Sequence, residues 1–195
     1  MMQRKQGKSK SRRAGAARAK PQDAIALLKA DHRQVEEWFG QFESTRSAER
    51  KSDLATKICK ALKVHTTVEE EIFYPAFLEA TEEEDIHHEA EVEHDGAKKL
   101  IAEIENAGPQ DDYFDARVTV LSEMIKHHVK EEEQRDGMFA KARAADMDLV
   151  ALGEKMAARK AQLMTGAGED DGAAERSRRR STAREAGMMA RGARR

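Results

Sequence analysis

The chain has 195 residues, 37 of them acidic and 35 basic, for a formal net charge of −2. The near-neutrality is an average: residues 1–20 carry eight Lys or Arg and no acid, residues 165–195 carry eight Arg against five acids, and the middle, 21–164, has 19 basic against 32 acidic residues, a net charge of −13. No stretch approaches the roughly 20 continuous apolar residues of a membrane span, the basic start lacks the apolar run of a secretory signal, and the lone Cys59 excludes an intramolecular disulfide or a CxxC motif. A cytoplasmic setting is expected.

Residues 1–20 and 165–195 are built from Arg, Lys, Gly, Ala and Ser with no aromatic residue. They cannot bury enough surface to offset the entropy of ordering, so both are expected to be disordered basic tails. Between them, apolar residues recur every three or four positions, which is helical spacing, and strand signals are absent. A first helix is predicted over about 22–44, with Ile25, Leu28, His32, Val35, Phe39 and Phe42 on one face. A second spans about 48–78 with Leu54, Ile58, Leu62, His65, Glu69 and Ile72, and Pro75 marks a kink or the start of its end. Thr81 with Glu84 forms a candidate capping box for a third helix, about 82–106, with Val92, Leu100, Ile101 and Ile104, before Gly108 and Pro109 stop it. The fourth, about 111–133, carries Val118, Leu121, Ile125 and Val129. The pattern falters near 134–137, and a shorter helix follows over about 148–163. The fold expected over 21–164 is all-α: an antiparallel up-down-up-down four-helix bundle plus a short extra C-terminal helix.

All seven histidines lie in the middle segment, and each long helix has at least one. His32 takes a slot on the apolar face of the first helix. His65 follows Leu62 by three, and Glu69 stands one turn further on the same face, so the pair projects inward together. On the fourth helix the pair recurs in two registers: Leu121 and Ile125 favour His128 with Glu132, while Val120 and Met124 favour His127 with Glu131. The third helix offers His94, on one face with Ala97, Ile101 and Ile104, with Glu91 three residues before it. His87, His88 and the run Glu82–Glu84 read as a solvated helix start near the bundle end. A Glu four residues after a His is weak evidence alone in a chain this acidic, and a single His on an apolar face is commonly a hydrogen-bonded core residue. One inward His on each of four helices, two followed by a Glu one turn on, changes that balance. Burying them costs several kcal/mol unless each is paired or bound to metal. Imidazole with carboxylate and no thiolate suits iron, manganese or zinc, and carboxylates can bridge two ions.

Asp31-His32, then HTTVEEEIFYP over 65–75, EVEH ending at His94, and HHVKEEE over 127–133 resemble the hemerythrin-like, or HHE cation-binding, domain across about residues 22–140. The resemblance implies a four-helix bundle holding two non-haem iron ions bridged by carboxylates, with His32, His65, Glu69, His94, His128 and Glu132 as the matching ligands, and His127, Glu131 and Glu91 as alternatives. Oxygen-carrying hemerythrins place a further histidine four residues before the one at His94; here that residue is Ala90.

The expected function is therefore a non-haem di-iron protein that binds O2 or senses or stores iron, with a diatomic or peroxide as its small ligand and no membrane partner. One alternative is an enzyme of the same site turning over hydrogen peroxide or nitric oxide. A second is a metal-free helical interaction protein whose basic tails make weak contacts with nucleic acid through counterion release. Trp38, Phe39 and Phe42 read as core that could line an oxygen pocket, and Cys59 as a small buried side chain without a catalytic role.

Overall fold

The computed structural model describes residues 22–166, and the two predicted tails lie outside these except for Thr165 and Gly166. Among the described residues every element is helical: α1 (Ala24–Ser44), α2 (Ala48–Val68), a π segment (Glu69–Phe73), α3 (Tyr74–Thr81), α4 (Glu84–Ala107), α5 (Phe114–Glu133), α6 (Met138–Ala144) and α7 (Leu149–Met164). Side-chain caps begin three of them. Asp23 accepts from the Ala26 N–H at 2.7 Å, Ser47 from the Arg50 N–H at 3.2 Å and Asp148 from the Ala151 N–H at 3.0 Å, each satisfying a donor the first turn leaves free. Gly108, at φ 72°, ends α4.

Four expectations need correction. The kink expected at Pro75 is a π segment followed directly by α3, in which the Tyr74 N–H bonds to the Glu69 carbonyl five residues back. Proline has no N–H for the Glu71 carbonyl, and widening the turn before it accommodates the missing bond. The capping box does not form. Thr81 closes α3, donating to the Phe77 carbonyl at 2.8 Å, and Glu83 is the uncapped N-cap of α4. Glu82 takes up the sharp turn between the two helices in the left-handed region, φ 57°. Val92, expected among the apolar positions of the third helix, is 73% exposed; Ala90 joins His94, Ala97, Ile101 and Ile104 on the inner face. Finally, α6 is an additional short helix, placing Met138, Phe139 and Ala142 in the core.

α1 packs on α2, α4 on α5, α1 on α5 and α2 on α4, while α7 lies against α1, α2 and the π segment. The apolar core is in two parts. One gathers Ile25, Leu28, Val68, Phe73, Tyr74, Phe77, Met138, Phe139 and Met156, the other Val35, Phe39, Phe42, Leu54, Ile58, Leu62, Ile101, Ile104, Phe114 and Leu121. On α1 and α4 the inward histidine falls between the residues each helix gives to one cluster and those it gives to the other. Each large apolar side chain buried above and below contributes about 1.5–3 kcal/mol, and the two clusters together offset the burial of a polar layer between them. Two glycines permit close backbone approach. A Cβ at Gly137 would stand 2.1 Å from the Glu131 carbonyl, where the turn into α6 folds over the end of α5; one at Gly153 would stand 2.3 Å from the Gln22 carbonyl, where α7 meets the start of α1.

Candidate metal centre

The polar layer consists of His32 from α1, His65 from α2, Glu69 from the π segment, His94 from α4, and His128 and Glu132 from α5, all buried. The four imidazoles form two pairs. His32 Nε2 lies 3.2 Å from His65 Nε2, and His94 Nε2 lies 3.2 Å from His128 Nε2. Two carboxylates stand between the pairs. Glu69 Oε2 is 3.1 Å from His65 Nε2 and 3.4 Å from His94 Nε2, and Glu132 Oε2 is 3.3 Å from His32 Nε2 and 3.7 Å from His128 Nε2. The donor atoms divide into two adjoining sets, His32, His65, Glu69 and Glu132 on one side and Glu69, His94 and His128 on the other, sharing Glu69.

A carboxylate stands behind each imidazole, and for three of the four it accepts the Nδ1–H and turns Nε2 inward. The Nδ1–H of His32 donates to Glu133 at 2.8 Å, that of His94 to Glu70 at 2.9 Å, and that of His128 to Glu93 at 2.7 Å. Behind His65, Asp31 stands at 3.6 Å, longer than a hydrogen bond. Such outer partners fix the imidazole tautomer and raise its basicity. They are themselves held: Asp31 pairs with Lys160 of α7, Glu70 with Lys98 at 2.6 Å, and Glu133 with Arg33 at 2.6 Å.

A cation fits this donor set. Both oxygens of Glu69 and both of Glu132 are buried without a hydrogen-bond donor, a state that costs several kcal/mol per charge if nothing compensates it. With Nδ1 holding the hydrogen, the inward Nε2 lone pairs face one another. A first-row ion bound at about 2.0–2.2 Å by imidazole and carboxylate sets neighbouring donors roughly 3 Å apart, close to the separations found. The electrostatics point the same way. Burial opposes charge on His65, yet Glu69 beside it, with Asp31 and Glu132, holds its pKa up at about 10. Burial likewise opposes charge on His128, but Glu132, Glu93 and Glu69 raise it to about 9. Against the upward push of burial, His65, His94 and His128 bring Glu69 down to about 2. Without an ion, protons on the imidazoles supply the positive charge that the carboxylates demand.

Tyr74 also reaches the layer. Its hydroxyl lies 3.1 Å from His94 Nε2, and its ring stacks on that of His94 with centroids 5.3 Å apart. Burial, and after it the Glu69 and Glu132 carboxylates, push the phenol well above its usual range, so it keeps its proton. Spacing alone did not identify Tyr74, because a residue five after Glu69 falls off an α-helical face; the π turn carries it back. Asp31, Glu70, Glu93 and Glu133 were missed for another reason. Each is next in sequence to a residue of the layer but supports a histidine on a different helix, and the only sequence signal was the acidic company each histidine keeps.

The remaining candidates lie elsewhere. His127 is 61% exposed, paired with Glu131 at 3.1 Å on the surface, and Glu91 is an exposed partner of His87 at 3.8 Å. His87 packs its ring on Tyr74, with centroids 5.8 Å apart. Phe39 lines a cavity of about 350 Å³ between α1 and α5 that also touches His32, Ile125 and Val129, whereas Phe42 is core and Trp38 packs at its margin. Cys59 is buried, and burial, reinforced by Glu105, pushes its thiol up to about 11. No helix among the described residues is long and apolar enough to cross a membrane.

Residues 23–140 match the Hemerythrin HHE cation binding domain family. Among solved structures, the crystal structure of a hemerythrin HHE cation binding domain-containing protein from Mycobacterium kansasii is 26% identical, with a TM-score of 0.62, covering 74% of this chain and 89% of that one. Among curated proteins, a DNA nickase of Nostoc sp. (strain PCC 7120) is 27% identical over 107 residues, 55% of this chain; the match spans 30% of that protein's length. α7 falls beyond the family match.

Proposed function

The chain belongs to the hemerythrin HHE cation-binding domain family, and from that membership and the buried histidine–carboxylate layer we propose that it is a non-haem di-iron protein that binds O2 or senses or stores iron. His32, His65, Glu69 and Glu132 would hold one ion, and His94 and His128 with the shared Glu69 the other. The observation that carries the reading is the set of four buried carboxylate oxygens, on Glu69 and Glu132, that no protein donor satisfies. Manganese or zinc would suit the same donors, and iron is favoured by the family resemblance. The architecture is read as an up-down-up-down bundle of α1, α2 with its continuation through α3, α4 and α5, which the helix pairings support. A cytoplasmic setting is part of the proposal.

Bound iron would supply a redox-active position at which a small ligand can be held. The protein contributes the rest. The apolar clusters exclude bulk water, the outer carboxylates hold the Nε2 atoms of His32, His94 and His128 in place, and the α1/α5 cavity offers O2 an approach past Phe39, Ile125 and Val129 to His32. One observation favours the second reading, turnover of hydrogen peroxide or nitric oxide: Tyr74 holds a hydroxyl proton within the layer, which a purely storing site does not need. Nucleic-acid contact through the basic ends is a subordinate proposal, resting on the eight basic residues of 1–20, and is tested by whether deleting both ends abolishes DNA retention at low salt.

The experiment for the main reading is metal content by elemental analysis on protein purified under mild conditions, with the spectrum recorded in air. Two irons per chain with an oxygenated spectrum that reverses under vacuum supports the binder. Steady peroxide loss beyond one turnover per site supports the enzyme. No uptake of iron(II) under anaerobic reconstitution overturns both.

A further inference from the structure

The carboxylates outside the buried layer differ in what they meet. Asp31, Glu70 and Glu133 each pair with Lys or Arg. Glu93 instead divides itself between two histidines: Oε2 accepts from His128 Nδ1 at 2.7 Å, and Oε1 lies 3.5 Å from His127 Nε2. His127 Nε2 is in turn 3.1 Å from Glu131 Oε1, and one donor atom from each of Glu93, His127 and Glu131 lies within 4.8 Å of the others. Two carboxylates converge here on an imidazole that is 61% exposed, with no Lys or Arg paired to either among the described residues.

This cluster adjoins a cavity of about 90 Å³ whose lining includes Glu89, Glu93, Glu131 and Asp136 at the outer side and His128 and Glu132 at the inner side. No Lys or Arg among the described residues lines it. Glu132 is 2% exposed, and neither of its oxygens has a donor, so the cavity connects surface carboxylates to an unsatisfied buried one. The other approach to the layer, the α1/α5 cavity, carries both signs, with Arg33, Lys126 and Lys130 beside Glu36 and Glu133, so it lacks the uniformly acidic mouth.

We propose that Glu93, His127 and Glu131 form a surface loading site for a divalent metal ion, from which the ion passes through the acidic cavity to Glu132 and His128. The proposal rests on the reading of the buried layer as a metal centre. Three donors leave the ion partly hydrated and exchangeable, as a transit site requires, while like-signed walls concentrate cations at the mouth. Glu93 links the two stages, because the carboxylate that meets the ion outside also orients the histidine that receives it inside.

The test uses the full chain and iron(II) under anaerobic conditions, with uptake stopped by chelator at successive times and counted by elemental analysis. The double variant His127→Ala, Glu131→Gln leaves the six buried residues intact. Its final iron content should equal that of the parent, and its initial uptake should slow by about tenfold. Uptake at the parental rate, or a lowered final content, would overturn the loading role. A second variant, His65→Ala with Glu69→Gln, disables the buried centre and should still bind one manganese(II) weakly by electron paramagnetic resonance, with that signal lost when His127→Ala is added. Manganese bound without dependence on His127 would overturn the site. Failure of the parent to take up iron while the His127-dependent manganese signal persists would refute the buried centre and, with it, the loading role, leaving a terminal surface site.

Discussion

Replacing Glu69 by glutamine keeps the volume of the side chain and removes one charge from between the two histidine pairs. Glu69 is fully buried, 3.1 Å from His65 Nε2 and 3.4 Å from His94 Nε2, with no donor on either oxygen. An amide cannot bridge two cations as an anion, and it turns an N–H2 toward one of them. A unit charge about 4 Å away is worth about 4 kcal/mol at an effective dielectric near 20. Discounting that by about half for relaxation and water leaves roughly 2–3 kcal/mol, on the order of 100-fold in affinity for each ion. At metal concentrations about 100 times the parental dissociation constant, each ion stabilises the parent by about 2.7 kcal/mol and the variant by about 0.4, so about 2.3 kcal/mol is forfeited per ion, a drop of roughly 5–10 °C in the metal-loaded Tm. Without metal the two proteins should unfold within a few degrees of one another, because His65 can release its proton once Glu69 no longer holds it. Elemental analysis after dialysis, with thermal unfolding in the presence and absence of chelator, gives all these quantities. Full iron content in the variant, with an undiminished chelator-sensitive rise in Tm, would refute the assignment of Glu69 as a bridging ligand.

Tyr74→Phe removes only the hydroxyl 3.1 Å from His94; iron content should be unchanged and stability altered by about 1 kcal/mol, while peroxide consumption should fall at least tenfold if the enzyme reading holds, and parental turnover would remove Tyr74 from it. The stability of the metal-free protein should depend on pH from both sides. His65, raised from 6.5 to about 10, contributes fully below 6.5 and loses its contribution as pH rises through 10, whereas Glu69, lowered from 4.5 to about 2, contributes above 4.5 and loses it as pH falls through 2. Denaturant titrations should therefore place the maximum between about 4.5 and 6.5, and stability rising steadily from pH 6 to 9 would contradict the buried pairing. Gly153→Ala puts a methyl 2.3 Å from the Gln22 carbonyl; a loss of about 1–3 kcal/mol is expected, read as a lower unfolding midpoint, and no change would show that α7 is not seated there.

Helical periodicity was enough to draw α1, α2, α4, α5 and α7 and to put His32, His65, Glu69 and His94 on inward faces, because a 3.6-residue repeat fixes which side chains share a face whatever the helix packs against. It left two registers open on α5. His127 and His128 are adjacent, about 100° apart around the helix, and the sequence offers apolar neighbours for both; packing of α5 on α4 and α1 buries His128 with Glu132 and leaves His127 outside. Tyr74 and the outer carboxylates belong to tertiary structure alone. The π turn that brings Tyr74 inward answers a proline and a packing site together, and Glu70, Glu93, Glu133 and Asp31 each support a histidine on another helix, a relation between chain-distant residues that no local spacing encodes. The composition and pattern of this sequence determined four helices with an inward polar layer; only their packing decided which carboxylate stands behind which imidazole, because that depends on how the helices meet.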